Sequence, residues 1–171
     1  MKNTKWIIFI FVLTFVLAAA FSGATVMLSD INVALMIVIL CVVVALGIVC
    51  DMMGVAVLSA NEATFHAMAS KKIKGAKESV ALLRSAPKVS SICNDVIGDI
   101  CGIISGSIGA TLALYISSLG MNITLSSVLT AAAISTITVG GKAAAKELAQ
   151  KKCDEITFIM GKARSRFTRK K

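Results

Sequence analysis

Apolar residues in this chain neither alternate with polar ones, as in strands, nor keep to one face of short helices; they come in long unbroken runs. Trp6 to Ser29, Ile31 to Cys50 and Cys101 to Gly141 contain no charged residue, and the last run is long enough for two crossings of a bilayer. A membrane-spanning helix needs roughly 20 such residues. Backbone groups cannot go unpaired in hydrocarbon, and the two-residue period of barrel strands is missing, so these runs predict helices. We place them at Trp6–Leu28, Ile31–Leu58, Ser90–Ser118 and Ile123–Val139. The expected fold is all-α: a polytopic membrane protein with about four transmembrane helices.

Between the second and third runs the pattern changes. Ser59-Ala60-Asn61-Glu62 has the Ser-x-x-Glu form of a capping box and predicts a new helix start. Ala76, Val80 and Leu83 recur at helical spacing, while Lys77 and Arg84 can reach water or lipid phosphate, so an amphipathic juxtamembrane helix follows. Pro87 cannot continue that helix and marks the turn into the third run. The expected organisation is therefore residues 1–30 as an N-terminal transmembrane helix or uncleaved signal, and 31–141 as the transmembrane domain with juxtamembrane helices at 59–87. Residues 142–171 form a basic cytoplasmic tail. Small residues at 21–24 also allow a cleaved signal, which would leave the other three helices oriented as before.

Composition and charge sharpen this picture. Hydrophobic residues make up 57% of the chain and charged ones 16%, a balance that a single aqueous core of this size does not hide. The net charge of +9 sits beside the apolar runs and not on an aromatic platform, which argues for a membrane surface and against nucleic acid. Lys71, Lys72, Lys74, Lys77 and Arg84 flank the second and third runs, and Lys162 to Lys171 end the chain. The Ser29-Asp30 and Leu119 to Asn122 connections lack positive charge, so the positive-inside rule puts both termini in the cytoplasm of a multi-pass inner-membrane protein. Five cysteines without paired spacing support neither a zinc site nor a disulfide framework. No nucleophile–base pair, phosphate loop or convergent histidines point to an enzyme, and no catalytic residue or certain cofactor is predicted.

The third run carries the most chemistry. Gly98, Gly102, Gly106 and Ala110 fall four apart and predict a stripe where a helix can approach closely. Asn94, Asp95 and Asp99 lie at its start. Two readings are open: hard oxygen ligands for a cation such as magnesium, or polar residues at the cytoplasmic mouth of the span that meet lysines.

From about Met52 to Ala149 the order of these features resembles the transmembrane domain of the CorB/CorC and cyclin M family of magnesium transporters. Val57 to Thr64 looks like that family's Ser-x-Ser-Glu-x-Ala-type motif, and a basic juxtamembrane belt follows. The family's Ile-Gly-Asn-Asn motif is matched either by Ile92-Cys93-Asn94-Asp95 or by Ile97-Gly98-Asp99-Ile100. The resemblance implies transport of a divalent cation, magnesium or cobalt, in a homodimer, with Ser59, Asn61 and Asn94 as ligands beside Asp95 and Asp99. It also shows a departure. Gly141-Lys142 stands where the family has Gly-Glu, so Lys142 either repels the cation or replaces it and pairs with Asp95 or Asp99. The family's cystathionine-β-synthase domain pair is not in this sequence. The alternative expectation is a non-transporting interaction protein whose basic segments hold anionic lipid or a protein partner.

Overall fold

A computed structural model of the protein describes residues 2–26 and 32–168; the Ser29-Asp30 connection and the terminal Arg169, Lys170 and Lys171 lie outside the described residues. Within them every regular element is helical: α1 (Lys2–Val26), α2 (Val33–Ser59), α3 (Glu62–Ser70), α4 (Ala76–Arg84), α5 (Ala86–Ser91), a π-helical turn (Ile92–Gly98), α6 (Asp99–Ser118), α7 (Ile123–Lys151) and α8 (Cys153–Thr168). Among the described residues, three helices are long and apolar enough to cross a membrane, namely Val33–Ser59, the continuous helix Ala86–Ser118, and Ile123–Lys151. The apolar part of α1, Ile7–Ala20, is shorter.

Local chemistry sets the boundaries. Asn61, not Ser59, caps α3: its side-chain oxygen accepts from the Ala63 amide at 3.0 Å, and Glu62 becomes the first helical residue. Glu62 then pairs along the helix with His66 at 3.2 Å instead of reaching back to the cap. Pro87 sits in the first turn of α5, where its missing N–H costs nothing. The fourth predicted helix runs past Val139 to Lys151 because Ala143, Ala144 and Ala145 favour helix and no proline intervenes. Gly141 stays helical there, packed against the side chain of Ile48.

The chain divides into two compact units, each assembled from two stretches: Met1–Ile48 with Val96–Gly141, and Val49–Asp95 with Lys142–Lys171. In the first, α1 packs on α6, and Met36 of α2 joins Ile108 and Leu112 of α6 in a small core. The Ser126 hydroxyl of α7 donates to the carbonyl of Ala113 on α6 at 2.8 Å. Large apolar side chains such as Phe11 and Phe15 (75% each), Leu114 (62%) and Val139 (66%) remain exposed. Soluble monomers rarely show contiguous apolar surface of this kind.

In the second unit Phe65 of α3 is fully buried, and Val57, Leu82 and Ala149 are buried as well. Here α4 packs against both α3 and α8. Ala76, Ser79, Val80 and Leu82 are the residues that α4 buries, while Lys77 and Arg84 stay exposed. The α4–α8 contact is very close. A methyl group added at Gly161 of α8 would meet the Ser79 hydroxyl as well as the Gly75 carbonyl at 2.7 Å. The Ser79 hydroxyl donates to the carbonyls of Gly75 and Thr157, at 3.0 and 3.3 Å. The basic tail thus becomes a helix docked on α4.

Candidate functional site

The second unit brings three distant stretches to one polar centre. Asp51 is the only charged residue between Asp30 and Glu62, and it lies well inside the apolar helix α2, only 4% exposed. One oxygen, Oδ2, lies 3.1 Å from the Nζ of Lys142 on α7. The ammonium is itself mostly covered, with its side chain 23% exposed. A carboxylate buried without a counter-charge would be costly, and the Lys142 ammonium offsets that cost at Asp51.

Gly54 follows Asp51 by three residues on α2 and so shares its face. Having no side chain, it makes room for Asn94, whose amide group a methyl at position 54 would overlap. Asn94 belongs to the π-helical turn, where one extra residue per turn re-aims side chains; such turns concentrate at functional sites. Its Nδ2 donates to the Ser90 hydroxyl at 3.2 Å. Among the described residues, Asp51 Oδ1 and Asn94 Oδ1 are buried with no hydrogen-bond partner, as is Thr157 Oγ1 on α8. Each orphaned acceptor costs about 1–3 kcal/mol of lost solvation, which calls for an explanation in terms of what the centre holds.

The other expected site residues fall as follows. Ser59 is the exposed last residue of α2. Asn61 is exposed and occupied as a cap, and its own amide donates to Asp154 of α8 at 3.0 Å. Asp95 is exposed and accepts from the Ser91 hydroxyl at 2.8 Å, and Asp99 is also exposed. The carboxylate that meets Lys142 at 3.1 Å is therefore Asp51, which the motif comparison passes over, and not Asp95 or Asp99, the two partners expected for it. A lone acid in an otherwise uncharged run was the signal that could have found it.

The glycine stripe divides. Gly98 is buried, whereas a methyl at Gly102 or Gly106 would meet nothing within 4 Å. Gly102, Gly106 and Ala110 line one wall of an open groove of about 590 Å3, with Ala131 and Ser135 of α7 on the other. The close approach of α7 comes at Gly109, where an added methyl would sit 2.6 Å from Ile134 Cδ1.

The polar centre fits a hard cation in part. Two buried oxygens without partners are suitable ligands for magnesium, which takes one or two carboxylates and keeps several waters. Against that, Lys142 already supplies a positive charge to Asp51, and among the described residues no three of histidine, cysteine, aspartate and glutamate converge. No family model, curated protein or solved structure matches this chain.

Proposed function

We propose that this protein is a multi-pass helical membrane protein associated with divalent-cation transport, resembling CorB/CorC, in which the Lys142 ammonium is the resting occupant of the cation's place. The observation that carries this reading is the pair of buried, unpartnered oxygens on Asp51, which meets that ammonium, and on Asn94, which packs at Gly54 one turn along α2. Helices of sufficient length and an exposed apolar surface support the membrane placement. The basic flanks support a cytoplasmic C-terminus.

Cation entry then requires Lys142 to leave Asp51, since an ammonium and a divalent ion repel each other strongly at low dielectric. Departure frees both Asp51 oxygens, and with Asn94 Oδ1 they offer three hard ligands. The chain reconstituted in proteoliposomes should take up magnesium or cobalt faster than empty vesicles do. Asp51→Asn and Asn94→Ala should each slow that uptake at least tenfold, a loss of about 1.4 kcal/mol in barrier terms. Uptake equal to that of empty vesicles ends the transport reading.

The Asp51–Lys142 pair favours a second reading, in which the site is permanently closed and the protein is a non-transporting membrane interaction protein. That reading predicts that Lys142→Glu creates no magnesium binding, and that truncation after Gly161 weakens association with anionic membrane. Magnesium binding gained by Lys142→Glu, or association that survives the truncation, would count against it.

A further inference from the structure

The docking of α8 on α4 brings together two basic stretches that lie far apart in sequence. The turn from Lys71 to Gly75 carries three lysines, and it is shaped by left-handed backbone at Lys72 (φ 55°) and Gly75 (φ 94°). At Gly75 an added methyl would stand 3.0 Å from the Lys162 backbone of α8, so glycine is required for this approach. The turn is well tied, with the Ile73 amide donating to the Met68 carbonyl and the Ala76 amide to that of Ile73, both at 3.2 Å. The result is a concave surface of about 540 Å3 lined by Lys72, Lys74 and Lys77 and closed by Ser165 of α8.

Glu78 is the one acid in this lining. Among the described residues Lys72, Lys74 and Lys77 enter no ion pair. Three ammonium groups around one hollow repel each other, and an anion there relieves that repulsion. Ile73 stands between two of these lysines with 41% of its surface exposed. An apolar side chain flanked by cations suits the boundary between headgroups and acyl chains, where the isoleucine leaves water while the lysines meet phosphate. A soluble phosphate compound would leave Ile73 without a role.

We infer that the groove formed by the Lys71–Gly75 turn, α4 and Ser165 of α8 binds the phosphate headgroup of an anionic phospholipid. This site deepens the association with anionic membrane in the second reading above, on which it rests, and is independent of the cation centre at Asp51.

The test uses the full chain in detergent, with native mass spectrometry reading retained lipid. Phosphatidylglycerol should bind in preference to phosphatidylcholine. The combined variant Lys72→Gln, Lys74→Gln, Lys77→Gln should weaken phosphatidylglycerol binding about a hundredfold, with helix content by circular dichroism unchanged. Should that variant not fold, Lys74→Gln alone is expected to weaken binding about fivefold. Ile73→Asp should also weaken phosphatidylglycerol, and glycerol phosphate should not compete with it. Equal retention of the two lipids, unchanged binding in the folded lysine variants, or glycerol phosphate binding as tightly as the lipid would overturn the proposal. None of these readouts depends on cation uptake, so failure here and failure of transport are distinguishable.

Discussion

Removing Lys142 should unmask how much the centre depends on it. In Lys142→Met the aliphatic stem is kept and only the charge is lost, leaving Asp51 buried at 4% exposure with both carboxylate oxygens uncompensated. Deleting one partner of a buried ion pair costs about 3–5 kcal/mol, because the remaining charge stays desolvated. For a chain of this length that corresponds to an unfolding midpoint lowered by roughly 6–20 °C. Removing both charges, as in Asp51→Leu with Lys142→Met, eliminates the unpaired group, and replacement of a buried pair by apolar residues is often neutral. The double variant should therefore fall within about 4 °C of the parent, far less than the sum of the two single losses. Thermal unfolding in detergent, followed by circular dichroism, reads all four proteins. If Lys142→Met melts within about 2 °C of the parent, or if the two single losses simply add in the double variant, the ion pair does not hold the centre together.

Gly54→Ala would place a methyl on the Asn94 side chain, so it should destabilise by about 1–3 kcal/mol, and Asn94→Ala in the same chain should recover most of that loss. Gly102→Ala and Gly161→Ala should differ in sign: the first meets open space and gains up to about 1 kcal/mol of helix propensity, whereas the second collides with Ser79 and Gly75 and loosens α8 from α4. Thermal melts check the Gly54 and Gly102 variants, and protease sensitivity of the C-terminal segment checks Gly161→Ala. Asn61→Ala removes the cap of α3 and should cost about 1 kcal/mol, against little change for Ser59→Ala, whose side chain caps nothing; melts again decide.

The helices were legible because uncharged runs of that length leave few alternatives in backbone hydrogen bonding. Their ends were less so. The helix start near Asn61 was visible in the capping pattern, but Ser, Asn and Glu within four residues offer competing caps, and tertiary contact with Asp154 selects Asn61. The extension of α7 to Lys151 follows from alanine propensity that a hydropathy boundary at Val139 ignores. The π-helical turn at Ile92–Gly98 has no distinctive residue pattern, and the approach of its Asn94 to Gly54 joins residues forty positions apart. Lys142 stood out as a departure from a motif, and Asp51 as a lone acid in an uncharged run, but only the fold pairs the two.

The roles proposed for Asp51, Lys142 and the lysine groove all require hydrocarbon around α2, the Ala86–Ser118 helix and α7. Membranes carrying the full chain should be washed with carbonate at high pH, which strips proteins held by charge alone, and the pellet and supernatant assayed for it. Retention in the pellet until detergent is added is the predicted result; release into the wash as dispersed protein would contradict it.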